Sequence, residues 1–245
     1  KGRCGLVKEI ASTLRYKNFL IEKIVSQSVE EYKDLMEFAE KNNLQIWVNC
    51  KTRAYRIHRY IKAKLDPEES ITFTRTAGNY GLATNGLHTA DLFHFYDGSS
   101  SIYSVGARID EKVYKTKRGQ YDLNGALYGK SAKGSDLIIA FSGNHEDPDI
   151  ISVVSSRGRF IIDHFQKWAQ ESLPETDWQW RRVAIDEDWM VSTMSKIFAR
   201  DILTQGRCAL PTLVECFPSH KFILDQLLPH FNRLLNEQNN FCPVT

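Results

Sequence analysis

The sequence is short of the features that usually announce a function. No apolar stretch in its 245 residues approaches the ~20 that a bilayer-spanning helix needs, and no charged-then-apolar leader opens it. Neither sign of charge dominates: 32 Lys and Arg against 30 Asp and Glu leave a net charge of +2, which gives no electrostatic footprint for nucleic acid. The cysteines, Cys4, Cys50, Cys208, Cys216 and Cys242, are odd in number and contain no C-x-x-C pair. That argues against a disulfide framework and a zinc ribbon, leaving buried or incidental thiols and the cytosol as the default compartment. No G-x-G-x-x-G turn is present to hold a dinucleotide pyrophosphate, and no G-x-S-x-G elbow to present a nucleophile. The run from Gly125 to Ser131 imitates a phosphate loop, but it has three residues between its glycines where four are needed and lies among strands. The first residue is Lys1 rather than methionine, so the chain reads as a fragment or a processed form.

What is present is an ordinary globular composition, 42% hydrophobic and 25% charged, in a chain long enough for one large core or two small ones. Residues 6–15 read as the end of a helix. The apolar runs Lys17–Ile21 and Leu44–Val48 read as strands, separated by a helix that Ser26 or Ser28 caps, with Glu30 and Glu31 in its first turn. A helix between two short strands predicts parallel pairing, with ligands collecting at the strands' carboxyl ends, where Lys23 and Asn49 stand. A basic, aromatic helix spans about Arg53 to Leu65, and the Asp66-Pro67-Glu68-Glu69-Ser70 turn marks a boundary. The pattern then alternates with period two over Ile71–Arg75, Ser101–Ile109, Lys112–Thr116, Tyr121–Tyr128, Leu137–Phe141, Ile150–Ser155 and Arg159–Ile162. Short turns such as 117–120 and 157–158 separate these strands, which predicts an antiparallel meander with Trp178–Ile185 as an edge. Two helices, about 188–204 and 212–236, close the chain, split by Gly206 and Pro211.

One stretch, Asn79 to Phe93, carries the chemistry. A glycine-bearing turn enters a helix that is apolar on most sides, through Leu87, Ala90, Leu92, Phe93, Phe95 and Tyr96, and so predicts burial. The same helix carries His88, Asp91 and His94 at steps of three, within about a third of its circumference. For Asp91 the reading as a buried carboxylate that ties down backbone or histidine outweighs catalysis. For His94 the structural reading is stronger still. For His88, at the amino-terminal end where the helix dipole disfavours its protonated form, the two readings weigh evenly. A metal held by the three is the minority reading, because helical histidine pairs that bind metal more often stand four apart. No metal is assigned.

Three stretches taken together resemble the glucose–fructose oxidoreductase/inositol dehydrogenase (Gfo/Idh/MocA) family. Ile21-Glu22-Lys23-Ile24 followed by Ser28-Val29-Glu30-Glu31 is similar to its Glu-Lys-Pro segment. Val48 to Arg53 is similar to the strand and arginine that enter its second domain, and Gly78 to Asp91 to its substrate-site helix, where a His is followed three residues later by Asp. The resemblance spans essentially the whole chain. It implies an α/β plus α+β fold, with residues 1–52 the remnant of a nucleotide-binding Rossmann domain. Residues 53–245 would form a substrate-binding and oligomerisation domain around an open, mostly antiparallel sheet. It implies an NAD- or NADP-dependent oxidoreductase acting on a sugar, polyol or nucleotide-sugar, in the manner of members associated with bacterial surface-polysaccharide biosynthesis. The alternative is a truncated, non-catalytic dimerisation or sugar-binding module, and a metal-dependent sugar isomerase is a third, weaker idea.

Carried over by residue, the resemblance makes Lys23 the hydrogen-bond donor to the reacting oxygen and His88, near its own pKa, the general acid/base, supported by Asp91 and Thr84. Glu22, Lys23, Asn49 and Arg53 would face the cofactor, and Lys23, Asn79, Tyr80, Asn85 and His88 the substrate. Two departures stand out: Ile24 replaces the proline after Lys23, and Thr84 stands where many members carry Asp. The family's glycine-rich half is also missing from this sequence, roughly three strand–helix units or on the order of a hundred residues at ~30 per unit. The exposed edge is expected to be covered by self-association, rearrangement or a partner, and a homodimer or higher oligomer is expected through the antiparallel sheet.

Overall fold

The structure is a computed structural model that describes residues 2–116 and 119–244. Helix α1 (Arg3–Leu14) precedes β1 (Asn18–Ile21), α2 (Val29–Lys41) and β2 (Gln45–Val48), and the two strands pair in parallel as expected. Helix α2 begins where Ser28 Oγ accepts the Glu31 amide at 3.4 Å, while Glu30 and Glu31 face the positive end of its dipole. Lys23 and Asn49 therefore lie just beyond the carboxyl ends of two neighbouring parallel strands. The helix expected over Arg53–Leu65 comes in two pieces, a 3-10 turn (Lys51–Ala54) and α3 (Arg56–Lys62). The extended backbone of Tyr55 separates them, so that Arg53 turns inward while Ile57, His58 and Ile61 bury the face of α3.

The remaining elements are β3 (Thr72–Gly78), α4 (Leu82–Asp97), β4 (Ile102–Lys115), β5 (Tyr121–Ser131), β6 (Asp136–Ser142), β7 (Ile150–Ser155), β8 (Gly158–Asp163), β9 (Trp168–Ser172), β10 (Trp180–Ala184), α5 (Val191–Gln205) and α6 (Leu213–Leu235). All eight strands join one sheet in the order β10-β9-β8-β7-β3-β6-β5-β4. The single meander read from the sequence is corrected. Two meanders flank β3, which runs parallel to β6 and antiparallel to β7. Helix α4 carries the chain from β3 to the far edge of the sheet, and the first meander then returns beside β3. The two strands expected over Ser101–Ile109 and Lys112–Thr116 are one long strand, β4, broken in register between Ser104 and Gly106 and again between Ile109 and Val113. Strand β9 was not legible because its inward positions are a small residue, Ala169, and a charged one, Glu171, opposite Ile162 and Phe160. Of the turn expected at 117–120, Lys117 and Arg118 lie outside the described residues.

The inner face of the sheet buries Phe73, Leu127, Ile139, Phe141, Val153 and Ile162, with α4 lying on β5 and β6 and α6 on β4 and β5. Helix α4 is buried on nearly every side, as its all-round apolar sequence requires. Helix α6 opens with a capping box between Thr212 and Glu215 and joins the two parts of the molecule. The Val48 amide bonds Pro211 O at 2.9 Å, Trp47 bridges Thr212, and the apolar side chains of both parts form one contiguous core. No helix among the described residues is long and apolar enough to cross a membrane.

Candidate active site

The first turn of α4 organises the site. Its N-cap, Gly81, has a φ of +78° and offers no side chain to the free amides. They are met from β5 instead: Asp122 accepts from Ala83 N at 2.7 Å and Thr84 N at 3.1 Å, and Asn124 Oδ1 accepts from Gly81 N at 3.2 Å. A Cβ on Gly81 would come within 2.2 Å of Asp122 Oδ2, so this turn needs both the left-handed backbone and the missing side chain. Thr84 does not cap the helix itself; its hydroxyl donates to Asp122. Asp122 thus returns a carboxylate to the turn where the resembled family carries its own Asp. Burial pushes the Asp122 carboxyl up, opposed by the bonds it accepts. Sequence reading missed it, although an acid beside Asn124 at the start of a strand was a signal.

Lys23 reaches this turn from the end of β1, and His88 follows the turn on α4. Lys23 Nζ donates to Thr84 O at 2.8 Å, one helical turn ahead of His88. The Lys23–Ile24 peptide is cis. His88 Nδ1 is buried with no hydrogen-bond partner in the described structure. Burial first, and then Lys23, Arg75, Lys51 and His220, push its imidazole down to about 3, so His88 is neutral at physiological pH rather than poised near its usual value. Next to Lys23 in the chain, Glu22 Oε1 accepts from Asn49 Nδ2 at 2.7 Å, whereas Asn49 Oδ1 is buried with no partner among the described residues. Lys51 Nζ, lowered by burial, donates to Trp189 O at 2.8 Å, and the Trp189 ring stacks on Tyr55 at 4.7 Å.

Arg53 and Asp91 do not reach this cluster as side chains. Arg53 Nη2 and Nε donate to the two carboxylate oxygens of Asp91 at 2.6 and 2.9 Å in a buried bidentate pair. The atoms that converge with Asp91 within 4.8 Å are the thiols of Cys50 and Cys216, not His88 or His94. Of the expected substrate contacts, Asn79 is exposed with a φ of +44°, and Asn85 Nδ2 donates to Tyr80 O, closing the turn on itself. Tyr80 OH accepts from Arg75 Nη2 at 3.2 Å. Arg75 is a further omission of the sequence reading. It lies buried under Tyr80, pairs with Asp149 at 2.7 Å and reaches Thr89 Oγ1 at 3.3 Å. From Asp149 a chain of bonds continues through His164 (3.4 Å) and His58 (2.8 Å) to Tyr96 OH (2.6 Å). Arg75 and His164, each donating to it, hold the Asp149 carboxyl well below its ordinary range despite burial.

No family model matches the sequence, and no curated protein matches it. Solved structures do. A UDP-N-acetylglucosamine 3-dehydrogenase from Acidithiobacillus ferrooxidans superposes over 93% of this chain and 74% of its own, with a TM-score of 0.70 at 14% identity. A Gfo/Idh/MocA family oxidoreductase from Vibrio cholerae superposes over 96% of this chain and 76% of its own, with a TM-score of 0.65 at 14% identity. This is the Gfo/Idh/MocA fold. A 3-ketoreductase of Actinomadura kijaniata in complex with NADP shares it over 90% of this chain and 72% of its own, with a TM-score of 0.68 at 13% identity. In this chain the fold brings the ends of the β1–β2 pair against the first turn of α4.

Proposed function

We propose that this chain is the substrate-binding part of an NAD- or NADP-dependent oxidoreductase of the Gfo/Idh/MocA type, acting on a hydroxyl or carbonyl of a sugar, polyol or nucleotide-sugar. One observation carries the reading: Lys23, at the carboxyl end of β1, is bonded to the turn of α4 that leads into a neutral His88. An ammonium and an uncharged imidazole then act from one helix turn, the pair of donor and proton acceptor that alcohol–carbonyl interconversion requires. The neighbours that reduce or oxidise sugar derivatives support the substrate class.

The residues fit the nicotinamide end of such a cofactor and not its pyrophosphate end. Asn49 Oδ1 at the carboxyl end of β2 is a buried acceptor with no donor among the described residues, suited to a carboxamide, and Glu22 and Lys23 stand at the neighbouring strand end. The glycine-rich turn is not in this sequence. When bound, the nicotinamide supplies hydride exchange with the substrate carbon. Lys23 Nζ donates to the substrate oxygen, and the His88 imidazole takes or returns the hydroxyl proton. Asp122 and Gly81 hold the turn that presents both groups. Residues 1–52 and 53–245 act as the cofactor-side and substrate-side parts, and exposed Tyr103, Val105, Tyr128 and Val154 on the sheet pair two copies.

Calorimetric titration with NADH and NADPH, followed by turnover of sugars and nucleotide-sugars, tests this. Lys23→Ala and His88→Ala should each lower turnover by about 10²–10⁴-fold with the fold retained. Failure to bind either nucleotide would instead favour a non-catalytic module.

A further inference from the structure

Two of the cysteines meet in the core. Cys50, where β2 runs into the 3-10 turn, and Cys216, in the first turn of α6, are both fully buried, and their Sγ atoms stand 3.5 Å apart. Cys216 Sγ lies 3.7 Å from Asp91 Oδ1 on α4, and one ligand atom from each of the three residues falls within 4.8 Å of the others. No spacing motif links positions 50, 91 and 216, so only the fold assembles this set. Thiols often pack in cores without any role, but the separations here are specific. A tetrahedral zinc ion, about 2.3 Å from sulfur and about 2.0–2.2 Å from oxygen, holds such ligand atoms about 3.5–3.8 Å apart. Two edges of the triangle, at 3.5 and 3.7 Å, already have those lengths. The third, from Cys50 Sγ to the Asp91 carboxylate, closes with a shift of about 1 Å or less.

We propose that Cys50, Cys216 and Asp91 bind one thiophilic divalent cation of the zinc type. The local charge supports that choice. Without an ion, the Asp91 carboxylate and the Arg53 guanidinium cancel, and both thiols carry their protons. A divalent ion that displaces those two protons leaves two thiolates, one carboxylate, one guanidinium and the cation, again with no net charge. Binding therefore adds no unbalanced charge to the core, whereas a monovalent ion would leave one negative charge behind. Thiolate ligands also select against magnesium and calcium, which prefer oxygen. Arg53 does not block the site. Its Nε keeps Asp91 Oδ2 at 2.9 Å, and Oδ1, which accepts from Nη2 at 2.6 Å, has a second lone pair for the ion. The ion ties the end of β2, α4 and α6 together, gripping α4 one turn beyond His88 without touching the reacting atoms. The inference is independent of the oxidoreductase reading.

Titration of the reduced chain, stripped of metal by a chelator and dialysed, with cobalt(II) and then zinc(II) tests this. One cobalt per chain should bind with a thiolate-to-metal charge-transfer band in the near ultraviolet. One equivalent of zinc should bleach that band, and excess magnesium should not. In weak buffer each zinc should release about two protons, one from each thiol. Partners outside the ligand shell are worth about 10–100-fold in metal affinity, so Cys50→Ala and Cys216→Ala should each cost at least that. Cys208→Ala, at a cysteine outside the cluster, should bind as the unaltered chain does. Circular dichroism checks that the variants fold, and the spectrum of the unaltered chain decides the matter even where they do not. No saturable binding of cobalt or zinc, cobalt bound without a thiolate band, or an affinity unchanged in Cys216→Ala would overturn the site.

Discussion

The buried pair of Arg53 and Asp91 invites the sharpest stability test. Asp91→Asn keeps the shape of the side chain and removes its charge, leaving a guanidinium whose residue is only 7% exposed without a counter-ion. Two bonds at 2.6 and 2.9 Å are altered, and a weak one from Cys216 Sγ at 3.7 Å. Breaking one side of a buried pair costs about 3–5 kcal/mol. Against a typical total of about 5–15 kcal/mol that is a large fraction. At about 2–4 °C per kcal/mol for a chain of this size, the unfolding midpoint should fall by roughly 6–20 °C. Urea and thermal unfolding followed by circular dichroism would measure it. The double substitution Arg53→Met with Asp91→Leu should recover most of the loss, because it removes both desolvation penalties together. A loss below about 1 kcal/mol, the range of an exposed pair, would refute the reasoning, as would a double variant no better than the single.

Stability should also fall in acid. His88 and His220 are both pushed down to about 3 from an ordinary 6.5, so between these values the unfolded chain binds protons that the folded chain refuses. Unfolding free energy then drops as pH falls from about 6.5 towards 3, by about 1.4 kcal/mol per pH unit for each histidine. Urea midpoints from pH 7 to 4 should slope at least this steeply and less so in His88→Asn with His220→Asn, the remaining slope coming from His58, His94 and His164, which burial also lowers, and a flat wild-type profile would count against the burial argument. Gly81→Ala should cost about 1–3 kcal/mol in chemical denaturation, since both its φ of +78° and Asp122 exclude a side chain. Asp122→Ala, which uncaps Ala83 and Thr84, should cost about 1–2 kcal/mol and lower turnover, and full turnover would show that the turn is held by other means. Sedimentation should show a dimer that Tyr128→Asp dissociates; a wild-type monomer at micromolar concentration would remove the sheet as its interface.

Local signals determined much of this protein. Ser28 with Glu30 and Glu31, the apolar runs on either side, and the carboxyl-end positions of Lys23 and Asn49 follow from capping and strand chemistry that act within a few residues. The all-round apolar character of α4 required its burial wherever it packed. The tertiary structure decided what depends on distant partners. Sequence periodicity shows that a strand has an inner face but not which strand lies beside it, so the insertion of β3 between two meanders was not legible. The same holds for charge. Arg53 was read as facing the cleft until the fold set it against Asp91, and Arg75 and Asp122 looked like ordinary strand residues until it placed them beneath Tyr80 and on α4. His88 could be named from its helix alone, but its protonation could not. Burial and three cations drawn from separate elements set that, because desolvation and Coulomb interactions depend on distance in space, not on separation along the chain.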